Sequence, residues 1–252
     1  MNYFPWSSEP SNSMHRPRYS IKTTIKPNID HVNQLLKDEN TKSHQIDCSC
    51  VPVTLDGFYK IVLILDESGS MESIRNDMLK SINDLIKEQK QVKERPSTFT
   101  LVKFSDKVNR YISNKPLDNI KLLSSEDYTP NGSTALYDAI GDTINWFRNE
   151  KDVLMVIVTD GQENSSTKYN KQQINSMIEQ KKETNKWSYV YLSNDLNTQL
   201  QGNNIGLHES LYTTNCQVDK SNFGNYISQN LNSAITNCRQ RGVTVQSQLN
   251  IY

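Results

Sequence analysis

Two acidic residues each follow a strongly apolar stretch of the chain. Asp66 comes directly after the run Tyr59–Leu65, and Asp160 directly after Val153–Thr159. In the segment 66–70, sequence DESGS, a carboxylate and two hydroxyls stand at alternate positions, which points several oxygens at a common centre. Oxygen donors with no neighbouring His or Cys suit a hard divalent cation such as Mg²⁺. One such Asp is commonly a helix N-cap, but two in similar settings favour a shared site.

A third polar loop precedes a helical pattern in the middle of the chain. The loop 128–135, sequence YTPNGSTA, carries a hydroxyl at Thr134 immediately before the helix. Taken alone, Thr134 is interpreted as a helix cap. Beside the two acidic loops it becomes a candidate metal ligand.

From Phe58 onward, apolar runs typical of buried strands alternate with amphipathic helical stretches. The pattern predicts strands at 59–65, 98–104, 108–113, 153–159, 187–192 and 210–214, and helices at 73–89, 135–148, 172–182 and 223–238. The three-residue link 105–107 permits only antiparallel pairing of the strands it joins. The predicted fold is therefore α/β: a doubly wound, mostly parallel six-stranded sheet with one antiparallel edge strand and helices on both faces. Such a sheet binds ligands beyond the carboxyl ends of its strands, where Asp66 and Asp160 stand.

The composition divides the chain into an N-terminal extension (1–57), a domain (58–241) and a C-terminal tail (242–252). The extension is rich in Ser, Asn, Pro and Lys, and we expect it to be flexible or loosely docked. Its one helical pattern, at 29–36, indicates either a segment that folds back on its own domain or one that binds a further protein or another copy of the chain.

Charge and hydropathy exclude several functions. Among the 252 residues, 28 Lys and Arg balance 28 Asp and Glu, so no basic surplus is present to bind nucleic acid. The longest apolar stretches are far shorter than the roughly 20 residues of a membrane span. The first residues do not resemble a signal peptide, and the 4 cysteines form no CxxC pair, so we expect reduced thiols and a cytoplasmic protein. Association with a viral or phage particle is an alternative.

The polar loops together resemble the metal-ion-dependent adhesion site of von Willebrand factor type A domains. Asp66, Ser68, Ser70, Thr134 and Asp160 match its Asp-x-Ser-x-Ser, Thr and Asp positions in order and spacing. The resemblance covers roughly residues 59–194. The sequence of this region is most similar in its pattern to those of stand-alone bacterial and phage domains of the family. The resemblance implies that the three hydroxyls coordinate Mg²⁺ directly, with the two carboxylates acting partly through water; Mn²⁺ and Ca²⁺ are alternatives.

A site of this composition would leave a divalent ion short of negative charge, because hydroxyl ligands are neutral. A Glu or Asp from a partner protein could then occupy an open coordination position. The resemblance thus implies a metal-dependent protein-binding module. Five loop residues would form its rim, although each can equally be an ordinary solvated residue: Glu67, Met71, Asn131, Gln162 and Glu163.

Two other functions use the same residues. The domain could be an assembly part whose metal only braces the loops, in which case partner binding would survive chelation. It could also be a metal-dependent hydrolase, but Ser68 stands where such an enzyme would have a second acid, and no phosphate-binding loop or nucleophile and base pair is present. We therefore expect a protein that is not an enzyme.

Overall fold

A computed structural model of the chain describes residues 58–185, 187–194, 196–208 and 213–241, with the backbone alone for 213–217 and 241. All of them belong to the unit Val51–Tyr252. The predictions made for the extension 1–57, with its helical pattern and two of the cysteines, and for the tail 242–252 lie outside the described residues.

Six strands form one sheet in the order β3-β2-β1-β4-β5-β6. Their bounds are β1 Tyr59–Asp66, β2 Ser97–Phe104, β3 Val108–Pro116, β4 Val153–Thr159, β5 Ser188–Ser193 and β6 Thr213–Gln217. All neighbours are parallel except β2 and β3. The predicted α/β class and the antiparallel edge strand are therefore confirmed, and the strand order reverses between β1 and β4.

Helical segments connect all consecutive strands except β2 and β3. The α-helices are α1 Arg75–Gln91, α2 Leu136–Trp146, α3 Lys171–Asn185, α4 Leu196–Asn204, α5 Phe223–Asn225 and α6 Asn232–Arg241. A π-helical stretch, Tyr226–Leu231, joins the last two, so the predicted C-terminal helix is present but irregular. Short 3₁₀ segments occur at Gly69–Ile74, Leu117–Asn119, Ser125–Asp127 and Lys220–Asn222. Among the described residues, none of the helices is long and apolar enough to span a bilayer.

The two central strands are buried on both faces, which is why their sequences are continuous apolar runs. Alternate residues of β1 and β4 enter opposite cores. Leu63 and Val156 pack under α1 and the C-terminal helical segments, whereas Ile64 and Ile157 pack under α2 and α3. The central strands are therefore held firmly from both sides, which fixes the positions of the residues at their ends.

Several bounds differ from the sequence prediction by up to three residues, and the departures at β6 and α4 have a clear physical reason. Strand β6 begins at Thr213, three residues later than predicted, because its polar sequence TTNCQ has no hydrophobic alternation to mark its bounds. Helix α4 was not predicted. It buries Thr198 and Gly202 and exposes Leu196 and Leu200, so its apolar residues do not mark the face that packs on the protein.

Candidate metal site at the ends of β1 and β4

Asp66 is the last residue of β1, and its side chain is completely buried. Oδ1 accepts a hydrogen bond from the Ser68 backbone at 2.7 Å, and Oδ2 accepts one from the Thr159 hydroxyl at 2.6 Å. Burial raises the pKa of Asp66 to about 6, although these hydrogen bonds favour the ionised form. The fold therefore places a carboxyl group in a buried position where its ionisation is unfavourable, which is typical of functional sites.

The two serines of the DESGS segment lie beside Asp66 and join it to the loop that follows β4. The Ser68 and Ser70 hydroxyl oxygens are 3.1 Å apart, and the Ser70 hydroxyl donates to Oδ1 of Asp160. The 3₁₀ segment begins at Gly69, so the chain turns sharply enough to bring both hydroxyls to the same side. The structure thus places Ser68, Ser70 and Asp160 in one contiguous group.

The loop that carries Thr134 is bonded directly to the DESGS segment. The Gly69 amide donates to the Gly132 carbonyl at 3.1 Å, and the Asn131 amide donates to the Glu67 carbonyl at 2.8 Å. On its other side, the Thr134 amide donates to the Asn164 side chain at 2.9 Å. Backbone and amide contacts therefore clamp Thr134 between the other two loops.

The space above Gly161 shows how closely oxygens from the other two loops approach the loop that follows β4. A Cβ atom built on Gly161 would lie 2.8 Å from the Thr134 hydroxyl oxygen, 3.6 Å from Asp66 Oδ2 and 3.6 Å from the Ser70 hydroxyl oxygen. Two oxygens of the DESGS segment and one of the Thr134 loop thus surround a point on the third loop that only glycine leaves open. Through the Ser68, Ser70 and Asp160 contacts, all five candidate ligands form one cluster.

The donor set suits a hard cation, since it consists of two carboxylates and three neutral hydroxyls. Among the described residues, no group of three or more His, Cys, Asp and Glu side chains lies close enough together to hold a metal. Any ion held by this cluster would therefore be coordinated largely by neutral oxygens. Its positive charge would be only partly neutralised.

Sequence reasoning missed a cation at the cluster. The Lys220 ammonium donates to Asp160 Oδ2 at 2.6 Å and to the Ser70 carbonyl at 2.8 Å. Lys220 follows β6, 60 residues beyond Asp160, and no sequence motif marks it. Only the return of the chain beside β5 brings it to the site.

Three residues that support the loops were also not identified as functional from the sequence. The Tyr128 hydroxyl donates to the Asp66 carbonyl at 2.7 Å and is fully buried. The Asn164 backbone amide donates to the Thr134 carbonyl at 3.0 Å, and the Asn164 side chain accepts from the Thr134 amide, so the two residues share a pair of hydrogen bonds. Thr159 bonds both Asp66 and the backbone of the following turn. These residues orient the candidate ligands.

The predicted rim residues fall into two groups. Gln162 and Asn131 are exposed and available to a partner. Glu67 instead pairs with the buried ammonium of Lys103 at 2.9 Å. Met71 is fully buried in the core beneath the 3₁₀ segment, because that turn directs it inward, so its side chain does not reach the rim.

The fifth rim residue, Glu163, binds backbone groups. Its carboxylate accepts the Ser166 amide at 2.7 Å and the Tyr137 amide, in the first turn of α2, at 2.9 Å. A carboxylate on a first-turn amide stabilises a helix start, so Glu163 connects the loop after β4 to α2.

The sequence and the fold of this chain are similar to those of known proteins. The family model of the von Willebrand factor type A domain matches residues 60–201. Similar solved structures include a von Willebrand factor type A protein from Catenulispora acidiphila, with 15% identity and a TM-score of 0.53, covering 73% of this chain and 43% of that one. The PilB minor pilin from Streptococcus sanguinis has 14% identity and a TM-score of 0.54, with coverage of 73% and 63%. Proximal thread matrix protein 1 from the mussel byssus has 18% identity and a TM-score of 0.51, with coverage of 70% and 46%.

At these identities the structural likeness shows the fold alone. The chain spans less than two thirds of the length of each of these three proteins. No curated protein matches the chain in sequence.

Proposed function

This chain belongs to the von Willebrand factor type A family, and from that premise we propose that it is a divalent-metal-dependent protein-binding module. Domains of this family are mostly adhesion or interaction modules and commonly bind a divalent metal ion. The proposed ligands are Asp66, Ser68, Ser70, Thr134 and Asp160, and the proposed ion is Mg²⁺. When bound, the ion would supply an open coordination position to a Glu or Asp of a partner protein.

The observation that carries the proposal is the convergence of oxygens above Gly161. Asp66 and Ser70 belong to the DESGS segment, Thr134 to a loop far along the chain and Gly161 to a third loop, yet the three oxygens lie within 3.6 Å of the Cβ position of Gly161. A helix cap or an ordinary loop contact would not require all three oxygens to meet there. Three neutral hydroxyls in the set leave the ion attractive to a further anionic ligand.

The chain's own residues have distinct roles in this proposal. Thr159 and the Ser68 amide hold the Asp66 carboxylate in one orientation, because each donates to a different oxygen of it. The exposed side chains of Asn131 and Gln162 would contact the partner around the ion. No step of this kind requires a nucleophile or a general base, so we do not propose an enzymatic activity.

We expect the Gly161→Ala variant to bind Mg²⁺ at least about tenfold more weakly than the wild type. The added methyl group would lie 2.8 Å from the Thr134 hydroxyl oxygen, so either the methyl fills the site or the hydroxyl turns away from it. Isothermal titration with MgCl₂ measures the affinity. Gly69→Ala is the matched control, because a Cβ there meets only backbone atoms of Gly132 at 3.7 and 4.0 Å.

The same two variants test partner binding. We expect the wild type and Gly69→Ala to bind Glu-centred peptides on an array in Mg²⁺, to lose them in EDTA, and to ignore the matching Gln-centred peptides. Gly161→Ala should bind neither set. Retention of the Glu-centred peptides in EDTA would contradict the proposal and favour an assembly role in which a metal only braces the loops.

A further inference from the structure

Lys220 reaches the candidate metal site from an element that supplies none of the proposed ligands. It opens the 3₁₀ turn Lys220–Asn222, and the chain is anchored on both sides of it. The amide of Val218 donates to the Ser193 carbonyl at 2.6 Å, and Phe223 is buried in the core. The backbone of Lys220 is therefore fixed close to the site, and its flexible four-carbon side chain allows the ammonium to reach the candidate ligands.

The contacts of Lys220 coincide with two of the proposed ligand residues. Its ammonium lies 2.6 Å from Asp160 Oδ2, while Oδ1 of the same carboxylate accepts the Ser70 hydroxyl. It also donates to the Ser70 carbonyl at 2.8 Å. Lys220 thus ties Asp160 to the turn that carries Ser70. The side chain of Asp160 is only 1% exposed, whereas that of Lys220 is 34% exposed and has room to move into solvent.

We propose that Lys220 is an internal counter-cation of the metal site, which lowers the affinity for a divalent ion and keeps the loaded site positive for a partner carboxylate. The inference rests on the proposed metal-binding function and deepens it. Opposite charges at this distance attract each other, so the ammonium occupies the carboxylate that a divalent ion would need. Lys220 and the ion compete for Asp160.

The charge balance shows why the residue would be useful to a binding module. The formal charges of Asp66 and Asp160 balance that of a divalent ion, so without Lys220 the loaded site as a whole would sum to zero, although its hydroxyl ligands still leave the ion itself short of negative charge. The backbone of Lys220 is held near the site, so the ammonium adds one positive charge close to the loaded ion even where the ion displaces it from Asp160, and the carboxylate of a partner can neutralise that charge. Lys220 therefore lowers the affinity of the site for the ion and raises the affinity of the loaded site for an anionic partner.

The variants Lys220→Met and Lys220→Gln remove the charge, and the Gln variant keeps a hydrogen-bond donor for Asp160 and the Ser70 carbonyl. We expect both to bind Mg²⁺ about tenfold or more tightly than the wild type in titrations with MgCl₂, because one opposing charge near the ion is gone. Lys220→Arg should stay close to the wild type. The matched control is Lys93→Met, which breaks an exposed pair with Asp118.

The second readout is the Glu-centred peptide array in saturating Mg²⁺. There the two neutral variants should bind the peptides several-fold more weakly than the wild type, although they hold the ion more tightly. A lysine that only supports the fold would not produce this opposite movement of the two affinities, since loss of structure weakens both.

The outcomes separate this inference from the proposed function. Equal or weaker Mg²⁺ binding in folded Lys220→Met and Lys220→Gln, with normal binding in the wild type, would overturn the role of Lys220 and leave the metal site standing. Absence of Mg²⁺ binding in the wild type and in all variants would overturn both. Circular dichroism and thermal unfolding in EDTA establish that each variant is folded.

Discussion

In EDTA at pH 7, the Asp66→Asn variant should unfold at a higher temperature than the wild type and should no longer bind Mg²⁺. Asp66 is completely buried, and burial raises the pKa of its carboxyl to about 6. A charged form that the fold disfavours costs stability, here on the order of 1–3 kcal/mol. Asparagine removes that charge and keeps an oxygen for the Ser68 amide. The gain corresponds to roughly 5 °C in the midpoint of thermal unfolding.

The pH dependence of the stability difference between the wild type and Asp66→Asn tests the sign of this effect a second time. Because the pKa of Asp66 in the folded protein lies above its usual value of 3.8, the folded state binds more protons than the unfolded state between about pH 4 and pH 6. The stability of the metal-free wild type relative to Asp66→Asn should therefore rise as the pH falls through 6, and the difference between the two should disappear near pH 4. A wild type that is more stable than Asp66→Asn at pH 7 would contradict the account.

A matched control is available in the neighbouring loop. Asp106 is exposed, and hydrogen bonds from Ser133 lower the pKa of its carboxyl. Its ionised form is therefore favoured by the fold, so Asp106→Asn should lower the stability slightly at pH 7. The two Asp→Asn changes should thus act in opposite directions.

The Asp160→Asn variant should lose Mg²⁺ affinity by about 10- to 100-fold or more, the range typical of altered groups around a metal. The substitution keeps an oxygen for the Ser70 hydroxyl and removes the charge that would attract the ion. Isothermal titration with MgCl₂ and MnCl₂ measures the loss. Asp142→Asn is the control, because Asp142 also pairs with a lysine at 2.6 Å, Lys168, but supplies none of the proposed ligands. Similar titration curves for Asp160→Asn and the wild type would remove the basis for assigning Asp160 to the site.

The parts of the fold that the sequence predicts are those with strong periodic patterns. The central strand β4 has the predicted bounds, because a fully buried parallel strand reads as a continuous apolar run. Helix α4 gives no such signal, since Thr198 and Gly202 form its buried face and two leucines are exposed. The polar edge strand β6 was predicted three residues too early for the same reason.

In the candidate site, too, some residues could be predicted from the sequence and others could not. The spacing of Asp66, Ser68 and Ser70 and the strand end at Asp160 follow from local sequence, because parallel strands bring their carboxyl ends to one edge. Lys220 could not be predicted, since its place depends on how the chain returns after β6. Met71 was expected at the rim, but the 3₁₀ turn directs its side chain into the core.

The most direct test of the central claim is anomalous diffraction from crystals of the protein soaked in MnCl₂. We expect one strong peak near Gly161, about 2.1 Å from the hydroxyl oxygens of Ser68, Ser70 and Thr134, with Asp66 and Asp160 facing it directly or through water. A peak at another position, or none at a concentration that saturates the protein in solution, would show that these five side chains do not share an ion.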